Sequence, residues 1–430
     1  MNRRVGASGR RHHLHRRRLR GHGYFKRLGP GLVTGAADDD PSGIGTYSQV
    51  GAAYGYLLLW SLPLVGLMAA AVQESAARLG LVTGRGLGTL IRAHFSRRVL
   101  VACVTLVAVA NTFNIAADLA AMGASAALVV SLPAAVLTVA LAVVMLVLEL
   151  FVSYHRYARI LRHLALSLGA YLIVLLMVNV DWGAVLTGVA SPGIGTGRGE
   201  IAALIAVFGT TVSPYLFFWQ SSEEVEEQAE PGRPEAGRPV TRDHLTAMRI
   251  DVIGGMVSAI MIAFAIMVTT SATLHAQGIT NIATADQAAT ALEPLAGNLA
   301  GLVFAVGIVG LGLLAVPVLA GATAYAVAEA RGAPEGLSRP VRDARGFYLV
   351  VAGSMLLGIV LDLAGLDPIQ GLFYAAILNG LTAPPLIIVM LMLSRSSDVL
   401  GERRSGPVAI AGLALTILAS VILPIVYVVR

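Results

Sequence analysis

Residues 28–60 read LGPGLVTGAADDDPSGIGTYSQVGAAYGYLLLW. Three adjacent carboxylates, Asp38, Asp39 and Asp40, followed by Pro41, Ser42 and Gly43, interrupt a segment that is otherwise apolar over the length of a membrane span. A carboxylate at the bilayer centre costs at least ~2.5–3.5 kcal/mol on insertion scales, so three in a row must face water, an ion or each other. Pro41 removes a backbone donor and clashes with the preceding turn. Gly43 and Gly45 add permissive backbone. The helix is predicted to break here. A break frees carbonyls and a helix amino terminus at membrane depth, which is tolerated only where the region lines a cavity.

The rest of the chain supports a membrane setting. Of its 430 residues, 56% are hydrophobic and 13% charged, with a mean hydropathy of +0.75; soluble domains carry about 25% charged residues. The apolar runs have the length of spanning helices rather than the ten-residue alternation of an outer-membrane barrel. About eleven are predicted, near 29–53, 56–78, 99–126, 131–152, 161–180, 200–221, 249–275, 297–328, 346–364, 370–394 and 407–429. The fold class expected is an all-α integral membrane protein.

Charge sets the expected topology. Residues 1–27 form a basic tail, expected to be disordered and cytoplasmic, that accounts for much of the net charge of +6 and touches anionic lipid rather than nucleic acid. It carries no signal-peptide core. His12, His13 and His15 offer at most a weak metal site. With the tail inside, every Arg-rich loop falls on the cytoplasmic side and every loop poor in Lys and Arg outside, with the carboxyl terminus extracytoplasmic. The chain is thus expected to be a multi-pass cell-membrane protein. Residues 28–430 read as one membrane domain, and EEQAEPGRPEAGRPVTRDH as a linker between its halves. The lone cysteine, Cys103, sits in an apolar run, which excludes an internal disulfide and reads as a small buried hydrophobe.

A second interruption lies in the sixth span, IAVFGTTVSPYLFFWQSSEEVEE, where Gly209, Thr210, Thr211, Ser213 and Pro214 fall mid-segment. Two Gly/Pro-interrupted spans five helices apart point to an inverted repeat of five plus five helices (LeuT-like), with the site where the broken helices cross. Repeat one then covers about 28–180 and repeat two about 199–395, with an extra helix at 407–429. Carboxylate, free carbonyls and hydroxyls make an anionic all-oxygen site, suited to a hard cation such as Mg²⁺, Mn²⁺, Ca²⁺ or Na⁺. Neither break contains His or Cys, which argues against a zinc-type cage. Asp38 and Asp39 are expected to line a vestibule or to make structural hydrogen bonds. Glu223 and Glu224 read as a solvated helix end or an acidic exit. Asp118, an acid inside the third span, is a functional candidate by default, with Arg342 or Arg345 as an expected partner. Asn379 in the tenth span is a further candidate.

The run GPGLVTGAADDDPSGIGTYSQVGAAYGYLLLW, then QESAARLGLVTGRGL, AADLAAMGAS and TTVSPY, resembles the Nramp family of divalent-metal transporters. The likeness covers about residues 29–130, resumes in the sixth span and is weak in the last five. It implies no enzyme and no cofactor, only a transported divalent cation, in a monomer. It places the metal site at Asp40, Gly43, Thr210 and Ser213 and puts Asp118 and Tyr215 on the family's proton-route positions; Ala37 is expected to join the metal site, and Asp38, Asp39, Gln220, Glu223, Glu224 and Asn379 are expected, on their own chemistry, in vestibule or supporting positions. The departures are specific. Gly43 stands at the family's Asn, Ser213 at the Met whose sulfur ligates, Thr210 at an Ala, Tyr215 at a His and Ala121 at a Glu of the proton route. This pattern resembles the divergent Nramp-related magnesium transporters. Losing a thioether removes a filter for softer metals, and losing the Glu and His implies transport driven by membrane potential without proton coupling. The alternatives are a proton-coupled Mn²⁺/Fe²⁺ symporter or a sodium-coupled carrier of an organic solute. A membrane prenyltransferase-type enzyme would need acids at i, i+1 and i+4 on an intact helix, but position i+4 from Asp38 is Ser42 and Pro41 breaks the helix. A scaffold protein has no use for paired broken helices.

Overall fold

The computed structural model describes residues 30–151, 169–193, 197–228, 240–337, 339–365 and 367–429. The basic tail, the HRYARILRH loop and most of the linker lie outside these residues. Among them the secondary structure is helical: α1 (Pro30–Asp38), α2 (Pro41–Tyr54), α3 (Ser61–Thr83), α4 (Leu87–His94), α5 (Arg97–Ala126), α6 (Ala134–Phe151), α7 (Gly169–Met177), α8 (Trp182–Ala190), α9 (Arg198–Thr211), α10 (Pro214–Gln228), α11 (Arg242–Thr273), α12 (Ala300–Arg331), α13 (Arg345–Leu363), α14 (Pro368–Arg395) and α15 (Pro407–Val429), with short turns between.

Nine described segments are long and apolar enough to cross a membrane. The first expected span adds a tenth as two half-helices, α1 and α2, and α7 is the described part of the fifth. Each of the eleven expected segments thus overlaps a described helix. Helix ends follow local chemistry. Asp40 caps α2 with Pro41 at its first position, where proline's missing N–H costs nothing. Asp367 and Pro368 start α14 in the same way. Gly84 ends α3 in the left-handed region (φ +61°), which a residue with a Cβ adopts poorly.

The layers sort by burial. The broken pair α9/α10 runs through the centre, 94% of its apolar window being buried, whereas α15 is 17% buried and presents its apolar side chains outward, as a lipid-facing helix does. Around the centre, α5 packs against α12, α13 and α14, while α1 and α2 lie along α11. On the side where residue 30 lies, called here the amino-terminal side, Glu74 of α3 pairs with Arg78 and accepts from Arg249 Nε of α11 at 2.9 Å. This ties the two helices together at one end of the bundle.

Candidate cation site at the crossing of two broken helices

Both predicted breaks are present. The chain leaves helical geometry between Asp38 and Pro41, and again at Val212 and Ser213. At the first break Asp40 is extended (φ −63°, ψ 171°). Its Oδ1 accepts from the Gly43 amide at 2.8 Å and from Ser42 Oγ at 2.6 Å. The carboxylate is therefore fixed by the helix it starts. Gly43 is tightly seated: a Cβ there would lie 3.2 Å from the Asp38 carbonyl and 3.6 Å from Thr210 Oγ1.

The second break is fixed by Ser213, whose hydroxyl donates to the carbonyls of Gly209 and Thr210, both at 2.8 Å. Gly209 lets α9 approach α14, since a Cβ would sit 2.0 Å from the Ala376 carbonyl. The breaks meet through four contacts. Ser42 Oγ lies 3.4 Å from Thr210 Oγ1, and Tyr47 OH 2.7 Å from Thr211 Oγ1. Tyr215 OH donates to the Ala37 carbonyl at 2.8 Å and approaches Asp40 Oδ2 at 3.3 Å. Tyr215 thus bridges the two breaks. Tyr215→Phe leaves the Ala37 carbonyl and Asp40 Oδ2 without that donor. Losing such a partner costs ~1–3 kcal/mol, so the variant is expected to show a lower thermal midpoint and about tenfold slower cation flux; an unchanged midpoint and flux would count against the bridge.

Every candidate at the crossing is shut from solvent: Asp38, Asp40, Thr210, Ser213 and Asp118 are at most 1% exposed. Asp39 is buried as well. Asp38 Oδ1 has no hydrogen-bond partner. Asp118 comes from α5, beside the Ser42 amide and within electrostatic range of Asp40. The expected pairing of Asp118 with Arg342 or Arg345 does not form. Arg342 is exposed and 3.6 Å from Asp343, and both Asp118 oxygens lack a hydrogen-bond partner. The reason is depth. Asp118 stands 21 residues into α5, about 31 Å of helix rise, while Arg345 is the first residue of α13.

Asn379 of α14 does reach the site, with Nδ2 at 3.4 Å from Ser213 Oγ and 3.4 Å from Asn114 Oδ1. Asn114 is the residue that sequence reasoning missed. Its signal was present, as an amide in an apolar span four residues before Asp118. Toward the amino-terminal side, Gln220 accepts from Thr34 Oγ1 at 2.5 Å and donates to Glu224 at 3.1 Å, while Tyr325 OH approaches Glu223 at 3.5 Å. Glu223 and Glu224 are buried rather than a solvated helix end. Beyond α12, burial, with Glu329 and Glu226 nearby, pushes the Glu335 carboxyl up to about 8. Among the described residues no three His, Cys, Asp or Glu side chains converge as a ready-made metal cage. Of the five expected ligands only Asp40 carries a carboxylate, and Thr210 and Ser213 carry hydroxyls.

A helical membrane bundle with two broken helices crossing at a buried, oxygen-rich, acidic site is the architecture of a secondary transporter. The particular family follows from its relatives. The model of the Nramp family, natural resistance-associated macrophage protein-like, matches residues 31–430, and this chain belongs to that family. Over 387 residues it is 27% identical to the divalent metal cation transporter MntH of Pectobacterium carotovorum, covering 88% of each chain. In fold it is similar to the crystallised manganese transporter of Eremococcus coleocola (TM-score 0.72, 20% identity, 94% of this chain and 87% of that one). It is also similar to Mhp1, a nucleobase-cation-symport-1 family transporter in a closed conformation (TM-score 0.57, 13% identity, 92% and 93%).

Proposed function

We propose that this chain is a divalent metal cation transporter that works by alternating access, carrying Mg²⁺ and also Mn²⁺ down the membrane potential without moving protons. Family membership and the names of its relatives support the cation class, and the same relatives are transporters rather than enzymes. The observation that carries the finer reading is the composition of the crossing. The Asp40 carboxylate contacts the hydroxyls of Ser42 and Tyr215, and Ser42 in turn meets Thr210, whose carbonyl accepts from Ser213, with no thioether or imidazole in that set. Hydroxyl and carboxylate oxygens suit hard cations, and Mg²⁺ keeps several waters because it dehydrates reluctantly.

The energetics suffice. A divalent ion crossing ~100 mV gains about 4.6 kcal/mol, twice ~2.3 per charge. That corresponds to roughly a thousandfold accumulation. Ala121 and Tyr215 carry no group that titrates near neutral pH in place of the family's Glu and His, which favours uncoupled transport. One observation favours a second reading. Asp118 is a buried acid beside the Ser42 amide, within electrostatic range of Asp40 and without a basic partner among the described residues, and such a group is suited to carrying a proton alongside Mn²⁺.

Purified protein in liposomes separates the two. With a Mg²⁺ dye inside, a negative-inside potential and a pH dye in parallel, Mg²⁺ influx without acidification is expected. Mn²⁺ influx with acidification and no Mg²⁺ influx would replace this reading with the proton-coupled one.

A further inference from the structure

The helix α5 meets both breaks with one face. Asn114 and Asp118 are four residues apart and so lie one above the other. Asp118 stands beside the Ser42 amide at the first break. Asn114 reaches the second through Asn379, whose Nδ2 lies 3.4 Å from both Asn114 Oδ1 and Ser213 Oγ. Asn114, Asp118 and Asn379 are all 0% exposed.

Their hydrogen-bonding capacity is largely unspent. Asp118 Oδ1 and Oδ2, Asn379 Oδ1, Asn114 Nδ2 and Asp38 Oδ1 all lack partners. Buried polar atoms in folded proteins are satisfied by protein or by ordered water, so the spare atoms of Asn114 and Asn379, joined to the second break through Ser213, and of Asp118 at the first break mark a place where something polar is held. Four of the five are acceptors. Exchanging oxygen and nitrogen in both amides still leaves one spare acceptor and one spare donor between them. A cation that keeps its waters turns their oxygens to the metal and their hydrogens outward, and those hydrogens require acceptors. An anion or an apolar solute requires the opposite or nothing.

We propose that Asn114, together with Asn379, is a specificity-determining residue that holds the water shell of the transported cation without touching the metal. The inference rests on the reading that the crossing binds a divalent cation. Ions that keep their waters, such as Mg²⁺, depend on this shell; Mn²⁺, which sheds water more readily, depends on it less. Asn114 is a positioning residue, and its signature is a ratio of fluxes rather than a flux.

The test compares Mg²⁺ and Mn²⁺ influx into liposomes for the unmodified chain, Asn114→Leu, Asn114→Asp and Asn379→Leu. Leu keeps the branched shape, at a larger volume, and removes both polar atoms, whereas Asp keeps the size and two acceptors. Asn114→Leu and Asn379→Leu are expected to lower the Mg²⁺:Mn²⁺ flux ratio about tenfold, and Asn114→Asp to hold it within about twofold. Hexaamminecobalt(III), an inert mimic of a fully hydrated cation, is expected to block Mg²⁺ influx in the unmodified chain and about tenfold less well in Asn114→Leu. If both fluxes fall in proportion and the ratio is unchanged, Asn114 is only structural and the inference is overturned. Should Asn114→Leu fail to fold, an unchanged ratio in Asn379→Leu decides it in the same way. Absence of any divalent flux in the unmodified chain overturns the reading of the site itself, and the inference with it.

Discussion

Asp40→Asn is expected to abolish cation influx as completely as Asp40→Ala while leaving a folded, monodisperse protein. Asp40 does two things. Its Oδ1 caps α2 through Gly43 N and Ser42 Oγ, and its negative charge faces the crossing beside Tyr215, with Thr210 one contact away through Ser42. Asn caps a helix about as well as Asp, while Ala in place of such a cap costs ~0.5–2 kcal/mol. Asn therefore preserves the turn and removes only the charge. Removing one partner of a buried charge pair costs about 3–5 kcal/mol, a loss of about two orders of magnitude or more. Liposome flux and size-exclusion profiles of the two variants check this. Near-normal Mg²⁺ influx through Asp40→Asn would mean that Asp40 is a cap and not a ligand, and the cation would then have to be sought at Asp38, Asp39 or Asp118.

Much of this arrangement was legible in the residues because membrane physics leaves few choices. The last two spans, expected near 370–394 and 407–429, lie at Pro368–Arg395 and Pro407–Val429, since charge and proline mark their ends. Both breaks were legible because Asp, Pro and Gly have no other reason to sit together at bilayer depth. What the residues did not disclose is which side chains meet across elements. Tyr215 reads as a lost histidine, yet its hydroxyl spans 178 residues of sequence to hold Ala37. Asn114 lies in the midst of Ala, Val, Phe and Ile, and only its partner 265 residues away in α14 gives it a role. Asp118 invited an arginine partner because an unpaired intramembrane acid is costly. The helix geometry places the candidate arginines at the wrong depth and leaves the acid facing the site.

The seat of α1 on α11 was equally hidden, and it carries the second large effect. Gly31 and Gly35 are one turn apart and face α11 backbone. A Cβ at Gly35 would lie 2.4 Å from the Gly255 carbonyl oxygen and 2.6 Å from its Cα; one at Gly31 would lie 2.6 Å from the Val252 amide. Backbone atoms cannot rotate away, and carbon contacts settle at ≈ 3.5–4.0 Å, so a methyl at Gly35 lifts α1 off α11 by roughly an ångström. That lift strains the Thr34–Gln220 bond (2.5 Å) and the bond from the Gly31 amide to Asp251 (2.7 Å). These contacts hold α1 closed over the amino-terminal side of the site. Gly254 supplies the control, because a Cβ there meets nothing within 4 Å. Gly35→Ala is expected to reduce flux by about tenfold or more, and Gly254→Ala to leave it unchanged. With Cys103 replaced by Ser and a single reporter at Ala37→Cys, Gly35→Ala is expected to expose the thiol to a reagent added from the amino-terminal side. Ala37 is fully buried, so the reporter with Gly35 intact should stay protected. Protection and flux that both survive Gly35→Ala would mean that α1 tolerates the displacement, and closure of the site would then rest on α10 and its Gln220–Glu224 pair.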